Sequence, residues 1–493
     1  MNTPQKILLK SFKEYRNKNA IHVNGKFYKY KDIFKMSLRV VADLKKKNSN
    51  IVGIFNDKNV YCYVSILGVF FSNNIFVPLN KNFSNQKNKH MIETSGIDTI
   101  ITDIKNKNLL KKIIKKNNYI TLSPSFFKKK IIDIKFSQSN LNDVCYILFT
   151  SGSSGNPKGV PIKNKNLSNY IKNIKKRFKY SYKDKFSNNF EITFDLFLHD
   201  LFTCWSSGAC LYVPDKNYFF NPSLFIKKHK LTCWFSVPSL VYNMMKAKQL
   251  KKNNFLSLKY SAFCGEALSE NIVKKWLTSS PNTVIDNLYG PTETTISIMA
   301  YRWKNLCSSK QSKNGIVSIG KIFPENLIKF SKKKIFELLI SGKQVFEGYL
   351  NNKNKNLEIF HNSNHNYYKT GDLVSKDRHG NFFYHGRKDR QIKVGGYRIE
   401  PQEVENAIKK LIPSEENVVV LGYPKLNLNQ LSYDSLVAFL TCSQKKISDN
   451  KILNNLRKSL SDYQIPKKLI RIKNFKFNSN GKIDYNDLHK KIR

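Results

Sequence analysis

Short apolar runs alternate with longer amphipathic stretches through most of the chain. Ile51-Val52-Gly53-Ile54-Phe55, Ile75-Phe76-Val77-Pro78-Leu79, Thr99-Ile100-Ile101-Thr102 and Val144-Cys145-Tyr146-Ile147-Leu148-Phe149-Thr150 are of the first kind. Segments 65–71 and 271–277 are of the second. A continuous apolar run bounded by polar residues reads as a strand buried on both faces, and its alternation with helices predicts α/β architecture. From about residue 335 the pattern becomes strand-rich, as at 336–340 and 381–384, with His379-Gly380-Asn381 as a hairpin turn. A last unit begins near Asp389 and holds an amphipathic helix (402–411), strands at 418–422 and 435–440, and a helix at 452–460. Its length suits a small α+β domain. Two domains are therefore expected, 1–388 and 389–493, with no internal repeat. The Lys/Asn-rich stretches at 104–118 and 350–366 predict surface loops or exposed helix faces. The longest apolar run, Val60 to Phe71, is too short to span a bilayer and predicts a buried core helix.

Charge changes the picture less than its size suggests. The net charge of +50 would suit a nucleic-acid-binding protein. The lysines, however, run from end to end among asparagines, as in Lys115-Lys116-Asn117-Asn118, and neither zinc-finger spacing nor an aromatic RNP-type strand is present. A compositional bias explains this better than a binding face, so no specific nucleic acid is expected as partner. The charge would still draw acidic partners in a salt-dependent way. No two of the eight cysteines have C-x-x-C spacing, so neither a zinc site nor a redox pair is signalled. They read as buried thiols in a reducing compartment, and with no signal-peptide core at residues 1–12 the expected setting is cytoplasmic.

The candidate chemistry begins at Thr150-Ser151-Gly152-Ser153-Ser154-Gly155-Asn156-Pro157-Lys158-Gly159, which directly follows an apolar strand. Glycines let backbone N–H groups converge on an anion, the hydroxyls add donors, and Lys158 adds a point charge for a polyphosphate. The spacing is not that of a Walker loop.

This loop resembles the signature loop of the adenylate-forming superfamily, which includes acyl-CoA synthetases, firefly-type luciferases and the amino-acid adenylation domains of nonribosomal peptide synthetases. Further segments match in the family's order, from about residue 10 to 485. Tyr289-Gly290-Pro291-Thr292-Glu293 resembles its second nucleotide motif. The resemblance implies that Tyr289 packs on adenine, Thr292 touches phosphate and Glu293 holds Mg²⁺. Thr370-Gly371-Asp372 resembles the segment whose aspartate binds the ribose hydroxyls. Gly386-Arg387-Lys388-Asp389 through Gly395-Gly396-Tyr397-Arg398-Ile399-Glu400 resembles the hinge region. There Arg387 would reach the ribose or phosphate, Asp389 would be the pivot of the second domain, and Gly395 and Gly396 would let a pantetheine arm approach. Asn480-Gly481-Lys482-Ile483 carries the residue matching the catalytic lysine. By the same likeness, the first domain comprises α/β subdomains with a small β-rich subdomain, and the second is mobile.

Phe194-Asp195-Leu196 resembles the segment whose aspartate pairs with a substrate α-ammonium in amino-acid adenylation domains. The usual serine two residues after Asp195 is Phe197 here. Residue-wise comparison implies a side-chain pocket of Leu196, His199, Phe235, Ala262, Cys264, Leu288, Ile296 and Ser297, suited to a small or medium, mostly apolar side chain. Phe263-Cys264-Gly265-Glu266 is similar to the ligases that load D-alanine onto a carrier protein. His199 reads equally as core packing or as a polar contact.

The implied activity is ATP-dependent activation of a small carboxylic acid, an amino acid, to its acyl-AMP with release of pyrophosphate. The acyl group then passes to a thiol supplied in trans, a phosphopantetheinyl carrier protein or coenzyme A. ATP and Mg²⁺ are the implied cofactors. An acyl- or aryl-CoA synthetase is the rival within the superfamily, disfavoured by Asp195. A non-catalytic nucleic-acid-binding protein is the rival from another class.

Overall fold

The four apolar runs become strands Ile51–Phe55, Ile75–Pro78, Thr99–Asp103 and Val144–Thr150. In this computed structural model they lie parallel in one sheet, in the order Thr99–Asp103, Ile51–Phe55, Ile75–Pro78, Val144–Thr150. Lys158–Lys163 folds back antiparallel on the last of these, pairing Thr150 with Lys158 and setting Ser151 and Pro157 at the sheet's end. The structure describes residues 2–114, 118–129, 134, 136–151, 157–304, 311–329, 331, 333–362, 365–412, 417–425, 432–441, 447–476 and 483–492.

A second sheet has a parallel centre of Asn19–Val23, Cys210–Tyr212, Lys185–Ser187, Cys233–Ser236, Tyr260–Phe263 and Val284–Tyr289. Antiparallel strands border it, Lys26–Lys29 on one side and Met299–Arg302 on the other. Between the sheets lie two helices that are apolar on most sides, Val60–Phe71 and Asp195–Trp205. A helix without a polar face must be enclosed. These two meet through aromatic pairs, Phe70 with Phe202 at 4.9 Å and Tyr63 with Phe197 at 5.8 Å between ring centroids. Asn59 caps the first helix, its side chain accepting from the Tyr61 and Cys62 amides. Among the described residues no helix is long and apolar enough to cross a membrane.

The strand-rich region is an antiparallel sheet of Asn326–Lys329, Phe336–Gly342, Asn366–Lys376 and Phe360–Asn362, with Phe382–Arg387 also paired to Asn366–Lys376. The His379 turn closes on Asp377, which accepts from the His379 and Asn381 amides, and Gly380 takes a φ of +83°. The Lys/Asn-rich stretch at 350–366, expected as surface loop or exposed helix face, holds an exposed helix, Lys353–Ile359, and also a strand, Phe360–Asn362, because Phe360 packs its ring on Phe346 and Tyr368.

Residues 388–391 lead from that sheet into another, formed by Tyr397–Ile399, Ile392–Val394, Ser432–Thr441 and Val418–Lys425, with Lys468–Ile472 on Ser432–Thr441. Its strands alternate. Val418, Val420, Leu436, Ala438 and Leu440 face helices Pro401–Lys409 and Asp449–Ser459 through Val404, Ile408, Ile452 and Leu456. Val419, Leu421, Val437 and Phe439 face the other way, onto Ile483, Leu488 and Ile492.

Candidate active site

The carboxyl ends of Val144–Thr150 and Val284–Tyr289 open onto a cavity of about 110 Å³ whose far wall is the hairpin 392–399. Ligands of open parallel sheets gather at such strand ends. Thr150, Ser151, Asp195, Leu196, Cys264, Tyr289, Thr292, Asp372, Arg387 and Gly396 all line it, although they come from opposite ends of the chain. Residues Gly152, Ser153, Ser154 and Gly155, and the lysine Lys482, lie outside the described residues.

The loop's described members are polar and spare. The buried hydroxyl oxygen of Thr150 has no hydrogen-bond partner among the described residues. Ser151 Oγ donates to the Arg398 carbonyl at 2.8 Å. Lys158 stands 5.5 Å from the Tyr349 ring centre.

Tyr289, Asp372, Arg387 and Asp389 form one chain of contacts. The Tyr289 hydroxyl donates to one carboxylate oxygen of Asp372, and Arg387 Nη1 donates to the other at 2.6 Å. Arg387 then forks onto Asp389, with Nε and Nη2 each 2.7 Å from a carboxylate oxygen. Burial opposes ionisation of Asp389, but the Arg387 guanidinium holds its carboxyl below the usual range. The bidentate pair stiffens the start of the 388–391 connection.

Glu293 is fully buried in a short 3₁₀ turn. Its Oε1 accepts from the Tyr349 hydroxyl at 2.6 Å and from Arg398 Nη1 at 3.0 Å, and Oε2 lies 3.2 Å from the same nitrogen. Burial pushes its pKa up, but Arg398 and Tyr349 outweigh burial and hold the group ionised. Among the described residues no cluster of three or more His, Cys, Asp or Glu side chains could hold a metal. The protein thus offers one hard carboxylate here, which fits an ion that takes most of its ligands from phosphate and water.

Asp195 heads its helix and is 8 % exposed. Burial raises its pKa to about 6, against hydrogen bonds from the Thr292 side chain and the Leu196 amide. Among the described residues it forms no ion pair. A buried carboxylate in this state is a ready partner for a ligand ammonium.

Of the expected side-chain pocket, Leu196 and Cys264 reach the cavity beside Asp195. Leu288 lines a smaller neighbouring cavity of about 30 Å³. His199, Phe235, Ala262, Ile296 and Ser297 are buried behind this wall. His199, one helical turn beyond Asp195, is 1 % exposed: Nδ1 is 2.6 Å from the Tyr170 hydroxyl, and the ring lies 4.1 Å from that of Phe235. His199 is thus a core residue with one polar contact, to Tyr170. Ile296 has φ +68°, a strained value for a β-branched residue.

Burial lowers the His199 pKa from 6.5 to about 3. The unfolded chain takes up this proton first. The stability His199 contributes is therefore complete above about pH 6.5 and is lost as pH falls towards 3. Urea denaturation across this range should show wild type losing stability relative to His199→Gln.

A sequence profile for the family described as AMP-binding enzyme matches residues 8–350. The chain belongs to the AMP-binding enzyme family. It is 30 % identical over 407 residues to D-alanine–D-alanyl carrier protein ligase from Staphylococcus aureus, an alignment covering 79 % of this chain and 82 % of that one. It is 26 % identical over 489 residues to surfactin synthase subunit 2 of Bacillus subtilis, covering 96 % of this chain but only 13 % of the synthase. Among solved structures, the Vibrio cholerae adenylation domain AlmE, in complex with glycyl-adenosine-5'-phosphate, superimposes with a TM-score of 0.88 at 25 % identity, covering 100 % of this chain and 98 % of that one.

Two groups in this family member stand out to which the motifs had assigned no role. Arg398 pairs with Glu293. Glu266 is buried and accepts from the Gly396 amide at 2.6 Å and from the Ser239 amide at 2.8 Å. Both lie inside matched segments, but a role for either depends on a partner over a hundred residues away, which spacing does not reveal.

Proposed function

We propose that this enzyme activates a small amino acid with ATP, forming the aminoacyl-AMP and pyrophosphate, and then transfers the aminoacyl group to the phosphopantetheine thiol of a carrier protein. The observation that carries the amino-acid reading is Asp195, a buried carboxylate without an ion-pair partner among the described residues, on the wall shared with Tyr289, Asp372 and Arg387. The names of relatives support it, since one loads D-alanine onto a carrier protein and a structural neighbour holds glycyl-AMP.

In this reading the substrate carboxylate attacks the α-phosphorus in line and pyrophosphate departs. Tyr289 offers its ring to the adenine, Asp372 accepts from the ribose hydroxyls, and Arg387 balances Asp372. The 150–159 loop and Lys482 meet the charge that develops on the phosphates. Glu293 would hold Mg²⁺, which when bound neutralises phosphate charge. Cys264 is a wall, not a nucleophile: burial pushes its thiol up to about 12.

For the second step the unit after Asp389 turns about that residue. A cleft of about 390 Å³ leads in from the surface between Val237, Gly395, Tyr397 and Tyr463, and shares Phe194 and Tyr397 with the active-site cavity. It supports a thiol arm entering beside Gly395 and Gly396. The six described cysteines are free and buried, which suits a reducing, cytoplasmic setting.

ATP–pyrophosphate exchange across a panel of amino acids and of fatty and aryl acids tests the reading. Exchange confined to small amino acids is expected. Exchange driven by non-amino acids would replace it with an acyl- or aryl-CoA synthetase.

A further inference from the structure

The hairpin 392–399 does more than close a wall. Three of its polar contacts hold it to the large part of the enzyme. The Gly396 amide donates to Glu266, the Arg398 carbonyl accepts from Ser151, and the Arg398 guanidinium sits on Glu293. Two of these three partners, Ser151 and Glu293, are residues the proposed function gives to the triphosphate and the metal.

Glu293 makes the conflict sharp. It is fully buried and ionised, and Arg398 is the one cation that ion-pairs with it among the described residues. A single guanidinium nitrogen spans both carboxylate oxygens, at 3.0 and 3.2 Å. A second cation on those oxygens would press against the first. Conversely, withdrawing Arg398 with nothing in its place would leave a buried, uncompensated anion, a costly state. Withdrawal of Arg398 therefore favours arrival of another cation on Glu293.

We propose that Arg398 and the divalent metal occupy Glu293 by turns, so that docking of the hairpin requires the metal to leave and arrival of the metal releases the hairpin. Arg398 is then a positioning residue. It couples the place of the small unit to whether the metal and its phosphates are bound. The inference rests on the proposed assignment of the metal to Glu293.

The test uses the full-length protein, Mn²⁺ as probe and α,β-methylene-ATP, which cannot react. Bound Mn²⁺ is counted by electron paramagnetic resonance, and hydrogen exchange of the 392–399 peptide reports docking. In wild type, Mn²⁺ added to the analogue complex should speed exchange of the hairpin, whereas the analogue alone should do so less. Arg398→Ala should bind Mn²⁺ about tenfold more tightly, as expected when a competing docked state of that weight is removed. Its hairpin should exchange fast with or without metal. Arg398→Lys keeps a cation and should retain part of the competition, which guards against a folding defect in the alanine variant. Unchanged Mn²⁺ affinity in Arg398→Ala, or wild-type hairpin exchange indifferent to metal, overturns the exchange. If Glu293→Gln also binds Mn²⁺ as wild type does, the assignment of the metal to Glu293 falls with it.

Discussion

Replacing Lys482 with alanine should lower ATP–pyrophosphate exchange by about 10²–10³-fold, the usual cost of deleting one preorganised charge donor at the site of transition-state charge. ATP binding, measured by equilibrium dialysis, should stay near wild type. The same variant given preformed aminoacyl-AMP should load a carrier thiol at close to the wild-type rate. The split follows from how the small unit is built. Val394 and Ile399, in the hairpin at the cavity, belong to the core on one face of its sheet. Ile483, the neighbour of Lys482, packs with Val419, Leu421, Val437 and Phe439 on the opposite face. In the proposed function, segments rooted on opposite faces of one sheet would serve one cavity in sequence, through a turn of the whole unit about Asp389. Adenylation would then need the Lys482 segment and transfer the hairpin. Wild-type exchange in Lys482→Ala would remove this lysine from the chemistry. An equal loss in both half-reactions would remove the division of labour.

The parallel strands were legible because each is a continuous apolar run, and the helix Val60–Phe71 because it lacks a polar face. Lys185–Ser187 and Cys210–Tyr212 were not, being three residues each and defined by the strands they pair with. Phe360–Asn362 was hidden in an Asn/Lys-rich stretch, since one buried ring can hold a strand that its composition disguises. The residues that meet at the cavity are ones the motif resemblance singled out, yet the motifs say nothing of mutual contacts. That Arg387 forks between Asp372 and Asp389 is a property of two strands pairing Asp372 with Arg387. Arg398 was one basic residue among eighty-five until its partner proved to be a fully buried carboxylate. Of the expected pocket residues Leu196 and Cys264 line the cavity beside Asp195, and motif likeness gave no sign that His199 is met by the Tyr170 hydroxyl.

Asp195→Asn should lose activity towards amino acids by about 10²–10³-fold in kcat/KM, because it removes one member of a buried charge pair that forms only with substrate. The isosteric amide keeps the volume and can still bond to Thr292, so the loss reports charge and not packing. Exchange driven by any acid lacking an amine should not fall. The pH profile provides a second reading. In the free enzyme burial raises the Asp195 pKa to about 6. As pH falls through that value the carboxyl protonates and its pull on the ammonium disappears, so wild-type kcat/KM should decline below about pH 6. The Asp195→Asn variant should lack that acid limb, since its amide does not titrate. Thr292→Val, which deletes a hydrogen bond favouring the ionised form, should move the limb upward. An acid limb that persists unchanged in Asp195→Asn, or full activity of that variant on amino acids, would transfer recognition of the amine to another group. Glu266 is then the alternative, a buried carboxylate, but it already accepts three hydrogen bonds, from the Ser239 amide and hydroxyl and the Gly396 amide. Asp195, with fewer donors on it and no ion pair among the described residues, has more capacity for an ammonium.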